Sequence, residues 1–368
     1  MLEDGRISAW QATGLLISTV LATAVLFVPA VTAAAAGRDA WLALLPAALL
    51  GGGIGWLAAR LALRFPGETV IRFAPRLLGR IPGKVVGFLF VFYFFWAGYV
   101  ILAEFHVLLG AAYLPRTPAV VHMGVLVLLA AFMVSRGLEI YARVNDLILP
   151  VLLLAALLVF LFTAKDIQVT YFQPLLENGP LPVLRAALTP GGWLAETAVI
   201  LMLLPYITCT EQRRAARAVL LAAAVLTVVL VLVLVATLGN FGAGPTADVL
   251  FPTFMLIRQV HFETLPVFER QDPVFMLIWI AGMLVKVGAF FYAGLLALGQ
   301  WLGLADYRPL VLPLGVLLVA LAVQGFPNVV YLVRYVTETV PAFLLLVNGG
   351  LTAVLWLAAA LRRGKRPS

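Results

Sequence analysis

Ten long apolar runs, at 9–35, 40–63, 85–112, 118–135, 144–163, 192–210, 215–239, 273–301, 309–325 and 339–361, constrain this chain more than any other feature of its sequence. A helix needs about 20 such residues to cross the hydrocarbon core of a bilayer, where every backbone polar group must be paired within the protein. The runs predict an all-α polytopic membrane protein with ten transmembrane helices. Composition agrees, since 63% of the 368 residues are hydrophobic and 11% are charged, against about half and a quarter in soluble domains. Connections are short, so residues 1–368 read as a single integral membrane domain, with spans 1–5 over about 9–163 and spans 6–10 over about 192–361.

The same counts exclude several functions. The one cysteine, Cys209, forms no intrachain disulfide and reads as a small buried residue. His106, His122 and His261 are too scattered in sequence to suggest a metal-ligand cluster. There is no G-x-x-x-x-G-K-[ST] phosphate loop, which argues against an ATP-driven pump, and no cofactor is expected. No nucleophile and base stand in a catalytic pattern, so the chain does not read as an enzyme. The segment from Leu15 to Val28 resembles the apolar part of a signal peptide. Glu3 and Asp4 ahead of it, and the further spans that follow at once, favour a retained first span.

A net charge of +8 points to cytoplasmic loops of a membrane protein and not to nucleic acid. With the N-terminus inside, Lys and Arg divide 17 inside to 7 outside, and Lys286 alone lies within a span. That asymmetry predicts both termini in the cytoplasm.

Spans 1 and 6 contain what an ordinary lipid-facing helix avoids. Span 1 carries Gly14, Ser18, Thr19, Ala22, Thr23 and Ala24 ahead of Pro29; span 6 carries Glu196, Thr197, Pro205, Tyr206, Thr208, Cys209 and Thr210. They open the two five-span halves, and interrupted helices at corresponding positions are the best sequence pointer to a transporter binding site. An unwound segment frees N–H groups for a ligand carboxylate and C=O groups for an ammonium, which suits a small zwitterion. The alternative is that Pro29 and Pro205 simply kink packed helices.

Three charged residues lie at membrane depth. Lys286 sits mid-span in Met283-Leu-Val-Lys-Val-Gly-Ala-Phe-Phe-Tyr292, where a charge costs at least about 2.5–3.5 kcal/mol, so it must face the interior and find a partner. It reads either as a fixed cation taking the place of a transported sodium or as a structural ammonium on helix-break carbonyls. Glu104, in the outer half of span 3, reads as a structural or pathway-lining carboxylate. His106, two residues on, faces elsewhere and reads as a packed imidazole. Glu196, one turn after Gly191-Gly192, fits a carboxylate at a helix N-terminus, or lines the outer approach if it points inward. Gly51-x-x-x-Gly55, and Gly282, Gly288 and Gly294 in span 8, mark close helix approach. Phe251 to Phe262 fits a short amphipathic helix over the outer face.

These features, in this order, resemble the spore germination receptor B-subunit family (GerAB type) of the amino acid/polyamine/organocation transporter superfamily. The matching stretches are Ile7-Ser-Ala-Trp-Gln-Ala, Arg136-Gly-Leu-Glu-Ile-Tyr-Ala-Arg-Val-Asn-Asp-Leu-Ile-Leu-Pro150, Phe251-Pro-Thr, and Phe268-Glu-Arg-Gln-Asp272 followed by Trp279 and Lys286. The resemblance implies a LeuT-like fold of two inverted five-helix repeats with spans 1 and 6 unwound near the middle. It implies the membrane subunit of a germinant receptor, working with an A-type membrane subunit and a C-type lipoprotein in the spore inner membrane and sensing an amino acid or similar small germinant. Carried over by residue, the ligand site falls on Thr19, Ala22, Thr23 and Ala24 of span 1 and Leu203, Pro205, Tyr206 and Thr208 of span 6, with Lys286, Glu104 and Glu196 lining or coupling it. The competing reading is a proton-coupled amino acid permease on the same fold.

Overall fold

A computed structural model describes residues 5–259 and 272–362. The described chain is helical, with one isolated backbone pairing between Ile7 and Ile207. Span 1 is the helix Ala9–Ala36, started by a capping box in which Ser8 and Gln11 satisfy each other's backbone N–H groups. It ends at Gly37, whose φ of 58° reverses the chain into span 2. Span 2 runs to Ala62 and includes a π segment, Ala48–Gly52. Spans 3, 4 and 5 are Arg80–Ala112, Ala119–Ser135 and Leu138–Thr163. Span 6 lies within Leu181–Tyr206, span 7 is Ala215–Phe241 and span 8 is Asp272–Leu302. Span 9 is Val311–Gln324, and span 10 extends over Val329–Arg362.

Ten apolar helical segments are therefore present among the described residues. Span 10 begins ten residues ahead of the apolar run at 339, because Asn328 caps its first turn by accepting from Tyr331 N at 2.8 Å. It contains two π segments, Tyr335–Thr339 and Leu345–Leu351, on either side of Pro341, which has no N–H to give to the regular ladder. Leucines and valines such as Leu49, Leu128, Leu147, Val316 and Leu346 stay exposed on the outside, where lipid is the solvent.

Span 1 corrects one expectation: the helix is continuous through Thr19, Ala22, Thr23 and Ala24. Its polar residues are satisfied without unwinding. Thr19 and Thr32 fold their hydroxyls back onto the Leu16 and Val28 carbonyls, at 2.8 and 2.6 Å. Pro29 has no N–H for the Val25 carbonyl, and Thr253 supplies the donor at 2.6 Å. Thr253 belongs to the Phe251-Pro-Thr motif and to the short helix Pro252–Gln259. The remainder of the expected outer helix, with His261 and the Phe268–Arg270 stretch, lies outside the described residues.

Span 6 is irregular, as expected, but not as a single unwound gap. It alternates α and 3-10 winding through Leu188–Leu194, Ala195–Val199, Ile200–Leu203 and Leu204–Tyr206. Close approach of span 2 accompanies this. A Cβ at Gly55 would fall on Thr197 Oγ1, and one at Gly51 on Leu194 Cβ. Gly55→Ala is expected to lower stability by about 1–3 kcal/mol, as overpacking does. Gly53→Ala, whose Cβ would meet nothing within 4 Å, should stay near wild type when the two are compared by thermal unfolding in detergent. The three span 8 glycines lie against Leu152 and Tyr141 of span 5 and Phe95 of span 3, and so let both helices approach.

Candidate functional site

Lys286 of span 8 is fully buried and donates to Glu196 Oε2 and to Thr23 Oγ1, each at 2.8 Å. One ammonium thus joins spans 1, 6 and 8. Its position also lies 5.8 Å from the Phe290 ring centroid. Glu196 is not the N-terminal helix charge of the simpler sequence reading. It belongs to the 3-10 segment Ala195–Val199, with Gly191 and Gly192 packed against Leu50 and Pro341 just before it. Burying two charges costs several kcal/mol per ion, and mutual attraction offsets this only when the geometry is good, as it is here.

Glu104 of span 3 is 2% exposed and stands within electrostatic reach of both Lys286 and Glu196. Its Oε2 is buried without a hydrogen-bond partner. The cluster therefore holds two carboxyl groups and one ammonium, and Oε2 of Glu104 is left without a hydrogen-bond partner. Aromatic walls fix its surroundings. Trp279 donates to the Ala22 carbonyl at 2.7 Å and stacks on Phe105 with centroids 5.7 Å apart. Tyr93, edge-on to Phe290 at 6.0 Å, takes a 3.0 Å hydrogen bond from Asn348 in the second π segment of span 10.

The remaining span 6 candidates lie away from this cluster. Leu203 is buried among the core, while Pro205, Tyr206 and Thr208 form a latch at the membrane face that carries the N-terminus. Ile7 N donates to the Tyr206 carbonyl and Thr208 N to the Ile7 carbonyl, both at 2.9 Å. Arg6 donates to the Pro205 carbonyl at 2.7 Å, and Glu211 accepts from Ala9 N at 2.7 Å. Tyr206 OH meets Gln300 Nε2 at 3.4 Å, and Gln300 in turn accepts from Thr69. The freed groups at the end of span 6 thus pair with the chain's own N-terminal segment. Cys209, expected to be buried, is exposed next to this latch because span 6 has already ended.

Of the predicted residues, Thr23, Glu196 and Lys286 meet directly, with Glu104 nearby. Thr19, Ala22 and Ala24 are buried on the same helix, and Ala22 meets span 8 through Trp279. Sequence reasoning passed over Tyr93, Asn348 and the buried Ser18–Asn145 bond of 2.6 Å between spans 1 and 5. A lone Asn inside an apolar run was the available signal for Asn348, whereas Asn145 sits in the polar stretch Arg143-Val-Asn-Asp146. His106 and His122, read as scattered in sequence, approach to 2.6 Å across spans 3 and 4.

Comparison with known proteins fits this arrangement. Solved structures with the same fold include Mhp1, a nucleobase-cation-symport-1 family transporter in a closed conformation with bromovinylhydantoin bound. It is 14% identical, with a TM-score of 0.65 over 96% of this chain and 79% of that one. MhsT in complex with L-phenylalanine is 13% identical, with a TM-score of 0.63 over 95% and 89%. The architecture is thus that of LeuT-fold transporters. Among relatives, spore germination protein YndE of Bacillus subtilis (strain 168) is 24% identical over 359 residues, 97% of each chain. Spore germination protein KB of the same organism is 24% identical over 330 residues, covering 89% of this chain and 87% of that one. The profile of the spore permease family, described as spore germination protein, matches residues 6–329, and the chain belongs to that family.

Proposed function

We propose that the chain is the membrane subunit of a spore germinant receptor and senses an amino acid or similar small germinant in the centre of the bundle. The observation that carries this reading is the buried Lys286–Glu196–Thr23 link, with the unpartnered oxygen of Glu104 beside it. A zwitterion complements such a cluster. Its ammonium meets Glu104, and its carboxylate competes with Glu196 for Lys286. A ligand that rearranges these contacts changes how spans 1, 6 and 8 are tied together. Its differential affinity for the two arrangements is the signal passed on.

In this proposal the receptor resides in the spore inner membrane with both termini cytoplasmic, and works with an A-type membrane subunit and a C-type lipoprotein. The exposed basic residues Arg60, Arg72, Arg76, Arg80 and Lys84 on the N-terminal face support that orientation. The second reading, a proton-coupled amino acid permease, is favoured by the transporter fold. Uptake of labelled amino acids into liposomes holding the purified chain separates the two. The receptor reading predicts saturable binding with no accumulation driven by an inward proton gradient. Accumulation that rises when the outside is acidified would replace it with the permease.

A further inference from the structure

Two cavities on the outside of spans 4 and 9 share Val323 and form one composite pocket. The first is an apolar groove of about 460 Å³ between the two helices, opened by Gly124 and Gly315, and flanked by exposed Leu128 and Val316. On span 4 it runs from Val120 to Ala131, about 16 Å at 1.5 Å per residue. That is about half of a 30 Å hydrocarbon core, the depth of one leaflet. A groove of this length and apolar lining accommodates a hydrocarbon chain lying along the two helices.

The second cavity, about 190 Å³, caps the groove at the membrane face opposite the N-terminus. Its walls include His106 of span 3, Met123 of span 4 and Asn328 in the turn before span 10. His106 Nδ1 lies 2.6 Å from His122 Nε2 with the rings stacked, so each imidazole orients the other. With His122 Nε2–H donating to His106 Nδ1, His106 Nε2 carries the N–H that is left to donate. Asn328 Oδ1 is engaged by Tyr331 N, so its amide NH₂ is the group left to donate. Neutral donors at the membrane surface above an apolar slot one leaflet deep match the phosphate and acyl chain of a lipid.

We infer that this composite pocket binds one phospholipid of the leaflet opposite the N-terminus, with an acyl chain between spans 4 and 9 and its phosphate at His106 and Asn328. The site is separate from the central cluster, although His106 lies two residues from Glu104 on the same helix.

The test uses the full chain in nanodiscs of phosphatidylglycerol and phosphatidylethanolamine, doped with a phospholipid carrying a diazirine in mid-chain. Photolabelled peptides should concentrate on residues 120–131 and 311–324. Gly124→Leu, whose Cβ enters open space, should fill the groove and reduce that labelling about fivefold or more. Val316→Trp, at an exposed position, should do the same and guards against misfolding of the first variant. His106→Leu should lower labelling by the phospholipid while leaving labelling by a diazirine alkane unchanged. Label spread evenly over the lipid-facing spans, label unchanged in both groove variants, or phospholipid labelling indifferent to His106→Leu would each overturn the inference.

Discussion

Lys286→Met is expected to lower the stability of the purified chain by about 3–5 kcal/mol, the cost of leaving a buried carboxylate without its counter-ion. The reason lies in Glu196, which is 3% exposed and has Lys286 as its ion-pair partner at 2.8 Å. Removing both charges together should be far milder. Lys286→Met combined with Glu196→Gln is expected to stand within about 1–2 kcal/mol of wild type, because neither remaining group has to be desolvated as an ion. Unfolding of the two single variants and the double variant in one detergent forms a cycle that measures the coupling. Additive losses would show that the pair is not an energetic unit.

The second large effect concerns the latch on the N-terminal face. Ile7→Pro removes the N–H given to the Tyr206 carbonyl, and Arg6→Ala removes the guanidinium bond to the Pro205 carbonyl. Losing one neutral and one charged hydrogen bond is worth about 2–4 kcal/mol, on the order of a hundredfold in the ratio of closed to open forms. A cysteine placed at Ser18, which is fully buried about two and a half turns into span 1, reports the opening. In a Cys209→Ser background, a water-soluble maleimide should label it on the order of a hundredfold faster when the latch is cut. An unchanged rate would mean that closure of this face rests on the packed helices and not on the latch.

Which parts of this architecture were legible in the sequence follows from the range of the forces involved. Apolar runs are local and long, so the ten spans could be read directly, and Gly51 and Gly55 announced a close helix approach, which the fold makes with span 6. Lys286 stood out because a charge at membrane depth demands a partner. Its partner did not, since Glu196 lies 90 residues away and suits a helix N-terminus equally well by local rules. The continuity of span 1 depends on Thr253 reaching the carbonyl that Pro29 leaves free, a contact 228 residues apart in sequence. The end of span 6 is likewise satisfied by residues 6–9, so the polar residues near Pro205 form a latch and not a break at membrane depth. In each case local chemistry identified an unsatisfied group, and only the folded chain supplied the group that satisfies it.

The central claim is that the buried cluster around Lys286 senses the germinant. Its most direct test is the germination dose response of spores carrying Lys286→Met with Glu196→Gln, read alongside the abundance of the protein in the spore membrane. On the proposed function, normal abundance with loss of the germinant response is expected. Normal abundance with an unchanged dose response would contradict it.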